Sequence, residues 1–130
     1  MLDEGRLSRV IEKMTTDCLL ITDPVSIAYL CGKKIEPGER FLGLLIGKGI
    51  EPVLILNQLF RFSDAIGVRV EYYKDTDTIT NIISQFIDKN GSLGVDKIMP
   101  ARFLIPMMEE SIATEFKLGS YAVDHTRAIK

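Results

Sequence analysis

The sequence predicts a three-layer α/β domain on a mixed, mostly parallel sheet of about six strands. Short apolar runs alternate along the chain with longer stretches of helical periodicity, the pattern of strands joined by helical crossovers. One pair of runs, residues 41–46 and 52–56, is separated only by a turn containing Gly47-Lys48-Gly49. It reads as a hairpin and places antiparallel pairing among the crossovers. At 130 residues, 46% of them hydrophobic, the chain has the size of one domain and can bury a core unaided. No repeat, low-complexity tract or linker divides it, so residues 1–130 read as one domain.

Leu7, Val10, Ile11 and Met14 fall at i, i+3, i+4 and i+7 behind Asp3, which predicts a capped amphipathic helix over 4–15. Leu19-Leu20-Ile21 reads as a buried strand that runs into Thr22-Asp23-Pro24. There Asp or Thr can cap a helix whose first turn tolerates the proline. Ile27 and Leu30 share one face of that helix, and Gly32 ends it. Residues 41–46 form a strand buried on both faces, followed by its partner over 52–56.

Leu59, Phe60, Phe62, Ala65 and Ile66 suit a helix from Gln58 to Ile66, closed by Gly67 and followed by a strand over Val68–Tyr73. Asp77 is placed to cap a long helix with Ile79, Ile82, Ile83, Phe86 and Ile87 as its apolar stripe and Asn90-Gly91 as its end. Leu93–Asp96 reads as a short strand. Pro100 then opens a helical region lined by Phe103, Leu104, Met107, Met108 and Ile112, which Pro106 splits or kinks. Phe116–Val123 reads as the last strand, with Asp124 capping a helix that begins at His125.

Sixteen basic and 18 acidic residues are mixed along the chain for a net charge of −2, an unpromising balance for nucleic acid or an anionic membrane. No apolar run approaches the roughly 18–20 residues of a membrane span, and Met1-Leu2-Asp3-Glu4 lacks the basic start of a secretory signal. The expectation is a cytoplasmic protein. Cys18 and Cys31 have neither the density nor the spacing of a disulfide scaffold, redox pair or zinc site and read as buried free thiols. Asn90-Gly91-Ser92 fits a glycosylation pattern but is read as a turn.

Candidates for chemistry are few. Gly43-Leu44-Leu45-Ile46-Gly47-Lys48-Gly49 has glycines before a lysine, but only three residues separate the first two glycines, and Gly49 stands where a phosphate loop needs Ser or Thr. His125 is the sole histidine, so neither a triad nor a histidine-rich metal site can be drawn. Asp75 and Asp77 are read as helix-start carboxylates and Glu109-Glu110 as a solvated helix face. No metal ligand or catalytic residue is assigned. The segment Lys33-Lys34-Ile35-Glu36-Pro37-Gly38-Glu39-Arg40 stands apart, because it is charged, punctuated by Pro-Gly and set between two apolar elements. Binding residues concentrate on such loops, although an ordinary solvated loop has the same composition.

Taken together, Arg6-Leu7 with Val10-Ile11, Leu19-Leu20-Ile21, Asp23-Pro24, Ile27-x-Tyr29-Leu30-x-Gly32, Glu39-Arg40-Phe41, Pro52-Val53-Leu54, Gly94-Val95-Asp96, Arg102-Phe103 and Arg127-Ala128-Ile129-Lys130 resemble the N-terminal domain of the creatinase/prolidase family of Xaa-Pro dipeptidases and aminopeptidases P. The resemblance implies a ribonuclease H-like α/β domain in which Asp23, Pro24, Ile27, Tyr29, Leu30 and Gly32 are mainly structural. It implies that Arg127 and Lys130 mark a junction to a C-terminal pita-bread domain, where two divalent metals (Mn, Co or Zn) generate hydroxide and stabilise a tetrahedral intermediate. It further implies a homodimer in which Lys33, Lys34, Glu36, Glu39 and Arg40 gate a proline-containing dipeptide or short peptide at the partner's active site, Arg40 being suited to a bidentate carboxylate contact. Ser26, Cys31 and Lys33 depart from the residues common in the family, and Lys33 replaces an aromatic. A creatinase or aminopeptidase P relative, or a non-catalytic domain that binds peptides or proteins, is the alternative.

Overall fold

The computed structural model describes residues 1–128; Lys130, assigned above to the junction, and Ile129 lie outside the described residues. Six strands form one sheet in the order β4-β3-β2-β1-β5-β6. They are β1 (Cys18–Ile21), β2 (Leu42–Gly47), β3 (Val53–Asn57), β4 (Arg69–Tyr73), β5 (Ser92–Val95) and β6 (Glu115–Leu118). β2 is antiparallel to both β1 and β3, whereas β3–β4, β1–β5 and β5–β6 pair in parallel, so β2 alone runs against the rest.

Alternation along the strands divides the core into two layers. Leu19, Ile21, Leu44, Ile46, Leu54 and Leu56 face α1 (Glu4–Lys13), α2 (Pro24–Cys31) and the terminal helix α5 (Ser120–Ala128), meeting Val10, Ile27, Leu30 and Val123. Leu20, Leu45, Val53 and Ile55 face α3 (Ile79–Ser84) and α4 (Ala101–Glu109), meeting Ile83, Phe103 and Met107. The central strands β1, β2 and β3 are therefore buried on both faces and need no polar alternation.

The first two helices follow their sequence signals closely. Asp3 caps α1 by accepting from the Arg6 N–H at 3.0 Å, and Asp23 caps α2 by accepting from the Val25 N–H at 3.2 Å with Pro24 in the first turn. Gly32 ends α2 at φ 69°, and a Cβ there would lie 2.8 Å from the Met1 nitrogen, so conformation and space both call for glycine. Gly47-Lys48-Gly49 lies in the β2–β3 hairpin connection, as expected.

Elsewhere the helices differ from expectation. The helix read over Gln58–Ile66 is one 3₁₀ turn, Gln58–Phe60. The Asn57 side chain accepts from the Leu59 N–H at 2.9 Å, and the chain then extends at Arg61. Lys33 and Arg61 lie over the rings of Phe62 and Tyr72, at 4.5 and 4.1 Å from their centroids. Asp77 does not cap α3. Its carboxylate accepts from the Lys74 N–H at 2.8 Å, closing a preceding turn, and the helix starts at Ile79. The helix is short, because Gln85 and Phe86 bond back three residues, tightening its end.

Pro106 does not split α4, which runs through it from Ala101 to Glu109. The last strand stops at Leu118 rather than reaching Val123, and Asp124 lies inside α5, paired with Lys97 at 2.8 Å, instead of capping a helix. The buried positions of α5 are Ser120, Ala122, Val123 and Thr126, and the last three have a helical spacing that a strand cannot present to one face. Gly119, between the strand and α5, packs closely on β1: a Cβ there would meet Leu19 Cδ1 at 2.6 Å.

Candidate functional site

The carboxyl ends of β1, β3, β4, β5 and β6 all open on one rim of the sheet, where β2 begins. Open α/β sheets bind ligands at such a rim, in the crevice where connections diverge. The divergence here is at β1, which leads through α2 to β2 on one side and has β5 on the other. The 33–40 loop, the turn after β4 and the β5–α4 connection therefore gather on this rim.

At its centre lies Asp96, the residue after β5, which is 7% exposed. Its carboxylate accepts from the Thr22 N–H and Asp23 N–H, both at 2.8 Å, and from the Thr22 hydroxyl at 2.6 Å. Among the described residues no cation pairs with it. Three donors hold its charge in place, and the bonds are charge-assisted. The neighbouring Asp23 accepts from the Ser26 hydroxyl at 2.9 Å, and Arg127 from α5 donates to that hydroxyl at 3.2 Å while standing 3.6 Å from Asp23 Oδ2. The structure thus joins the Asp23 motif to Arg127, which the sequence separates by a hundred positions. Asp96, read from the sequence as the end of a strand and as part of the Gly94-Val95-Asp96 resemblance but not as a site residue, is the residue that links β1 to β5; an acid directly after an apolar strand was the available signal.

Of the other motif residues, Ile27 and Leu30 are fully buried and Tyr29 is partly buried, with the Arg6 guanidinium 4.2 Å from its ring centroid and the Arg6 side chain donating to the Tyr29 carbonyl at 2.8 Å. These contacts fasten α2 to α1, a structural role.

The charged loop is exposed apart from Ile35, which is buried and pins it to the core, and the partly covered Lys33 and Pro37. Lys33 pairs with Asp64 at 3.0 Å, while Lys34 and Glu36, 3.8 Å apart, point into solvent. Arg40 meets Asp75 in a two-pronged contact, Nε and Nη2 donating at 3.0 and 3.1 Å, and Asn57 Nδ2 donates to the same carboxylate at 2.7 Å. The Arg40 and Asn57 hydrogen bonds hold the Asp75 carboxyl below the usual carboxylate range, and the same pairing raises Arg40 above its ordinary value. Asp75 is thus the loop's anchor, not a helix cap. Glu39 contributes its main-chain carbonyl, which accepts from Arg102 Nη2 at the start of α4.

A cleft of about 200 Å³ lies beside the loop, lined by Pro24, Pro37, Phe41, Ile98, Phe103 and the two arginines 40 and 102 among others. Its floor includes an edge-to-face pair, Phe41 and Phe103, with ring centroids 5.1 Å apart. Arg102 and Asn57 were not singled out from the sequence as site residues; their roles depend on contacts across the fold.

Among the described residues no group of three or more His, Cys, Asp or Glu side chains could hold a metal ion. A metal pair does not fit these residues. Nor is any described helix long and apolar enough to cross a membrane. His125 is exposed and stacks on Tyr121, with centroids 5.0 Å apart. Both cysteines are buried and free, and burial raises their thiols above the ordinary value, Cys31 to about 11.

Solved structures similar to this chain include a proline dipeptidase from Streptococcus pneumoniae, 22% identical, with a TM-score of 0.79 over 98% of this chain and 97% of that one. Another is the creatinase/prolidase N-terminal domain of an X-Pro dipeptidase from Streptococcus pyogenes, 23% identical, with a TM-score of 0.74 over 94% and 95%. A third is a prolidase from Pyrococcus horikoshii, 21% identical, with a TM-score of 0.74 over 97% of this chain but 35% of that one. This chain thus corresponds to about a third of the length of that prolidase. These likenesses are of fold. No curated protein matches the chain. Residues 5–129 match the family model of the creatinase/prolidase N-terminal domain, and with the mixed sheet and the Asp23 motif in place the chain belongs to that family.

Proposed function

We propose that this domain is the non-catalytic N-terminal part of a cytoplasmic Xaa-Pro dipeptidase. In this reading it forms a homodimer and presents the 33–40 loop at the mouth of the partner's active site. Hydrolysis of a proline-containing dipeptide belongs to a C-terminal domain that holds two divalent metals with residues outside this chain. Family membership and the fold shared with dipeptidase structures support the reading.

The observation that carries it is the anchoring of the loop. Its Arg40 end is held by Asp75, itself held by Asn57, and Glu39 by Arg102, whereas Lys34 and Glu36 are exposed and, among the described residues, pair only with each other. Lys33 on Asp64 and buried Ile35 hold the loop's other end. A segment fixed at both ends with exposed charges between them can place charge at a neighbouring opening with little ordering cost on contact. The test is Arg40→Glu in the full-length enzyme, which sets two carboxylates face to face and releases the loop. The expected result is a rise in dipeptide KM with kcat changed less. Unchanged KM together with unchanged dimer mass by analytical ultracentrifugation refutes the gating role.

A further inference from the structure

The rim holds two arginines with different charge environments. Arg40 is neutralised by a two-pronged carboxylate contact, leaving it a structural strut. Arg102 makes no ion pair among the described residues; its hydrogen-bond acceptor is the Glu39 main-chain carbonyl, which uses a donor without cancelling the charge. Both line the cleft whose other walls are prolines, Ile98 and the Phe41–Phe103 pair. The cleft therefore offers one uncompensated cation beside a compact apolar surface. Pro37 and Gly38, just before Glu39 in the chain, also line it.

We propose that this cleft binds the carboxylate end of a small peptide that carries a compact apolar ring or side chain, with Arg102 as the residue that receives the carboxylate. Size favours such an occupant: about 200 Å³ admits a five-membered ring and its carboxylate and little more. A guanidinium that still has unused N–H donors matches a carboxylate in plane, while the ring replaces water over exposed Ile98 and half-buried Phe103. The proposal rests on the preceding reading for the choice of a peptide as ligand, and on the cleft alone for the carboxylate and the apolar contact. It moves recognition from Arg40 to Arg102 and makes Arg40 a positioning residue.

The test is titration of the 130-residue chain, followed by amide NMR, with N-acetyl-L-proline and, in parallel, with N-acetyl-L-prolinamide, which lacks the charge. The acid is expected to shift the Phe41, Ile98 and Phe103 signals at millimolar concentration, and the amide to bind at least tenfold more weakly. Arg102→Gln should weaken the acid by a similar factor, and Arg40→Gln by less. Ala-Pro and free proline separate the two sources of this chemistry: a peptide site binds Ala-Pro at least as tightly as proline, and tighter binding of proline overturns the peptide assignment. Equal binding of acid and amide, shifts located elsewhere, or an Arg102→Gln affinity equal to that of the unaltered chain overturns the proposal. The acid–amide comparison uses the unaltered chain, so it decides even if Arg102→Gln disturbs the loop. A positive result here with an unchanged KM for Arg40→Glu would remove the gating reading and leave the cleft standing; the reverse outcome would remove the cleft alone.

Discussion

Replacing Asp96 tests whether one buried carboxylate joins the two halves of the sheet's rim. Asp96→Ala removes the acceptor for two main-chain N–H groups and one hydroxyl, in a place where Asp96 and Thr22 are each 7% exposed. A buried donor left without a partner costs about 1–3 kcal/mol. The Thr22 hydroxyl can rotate, so the loss is taken mainly from the two N–H groups, giving roughly 2–6 kcal/mol in all. That is a large part of the ~5–15 kcal/mol by which domains are stable. Asp96→Asn keeps one oxygen for the two N–H groups and turns its NH₂ toward the Thr22 hydroxyl, which can accept. It gives up charge assistance only, about 1–2 kcal/mol. Urea unfolding at neutral pH reads both; with a slope of about 2 kcal/mol/M the alanine variant's midpoint should fall by roughly 1–3 M. Thr22→Val should cost much less in the Asp96→Ala background than alone, because the two share a bond. A loss below about 1 kcal/mol for Asp96→Ala, or equal losses for alanine and asparagine, refutes the argument.

Gly43→Ala places a Cβ 2.7 Å from the Phe41 ring and 3.0 Å from Leu20 Cδ1 in a strand buried on both faces, so it should destabilise by about 1–3 kcal/mol and lower Tm; an unchanged melting curve would contradict this packing. Cys31 should resist iodoacetamide at pH 8 in the folded chain and react once urea unfolds it, since it is fully buried and its thiol is pushed up to about 11. Because that folded value lies above the unfolded one of 9.0, stability is complete below pH 9 and declines as pH rises from 9 toward about 11; Cys31→Ala should flatten this alkaline limb. Asp17 and Asp75 have the opposite sign. Hydrogen bonds from Ser92 to Asp17, and from Arg40 and Asn57 to Asp75, lower both below 3.8, so their contribution is present above that pH and lost as the pH falls through their lower folded values. Melting temperatures of Asp17→Asn and the unaltered chain should accordingly converge as pH drops from 5 toward 2.5.

Elements whose signals are local and redundant were legible from the residues alone. In the first two helices a cap, a periodic stripe and a stop agree: Asp3 before Leu7 and Val10, and Asp23-Pro24 before Ile27, Leu30 and Gly32. The continuously apolar runs of β1, β2 and β3 likewise announce central strands, and with the hairpin they give the mixed sheet. Tertiary structure decided the segments where a polar side chain had two possible partners. Asn57 caps a 3₁₀ turn instead of leading a helix, Asp77 turns back to Lys74, and Asp124 is drawn to Lys97 within a helix that the sequence placed later. The site follows the same division. The exposure of the 33–40 loop was legible, because charge and Pro-Gly keep a chain out of the core. The pairing of Arg40 with Asp75, the hold of Arg102 on Glu39 and the convergence of Thr22, Asp23, Asp96 and Arg127 were not. Each joins residues far apart in the chain, and a hydrogen bond depends on direction and a few tenths of an ångström, which only the packed sheet and its covering helices fix.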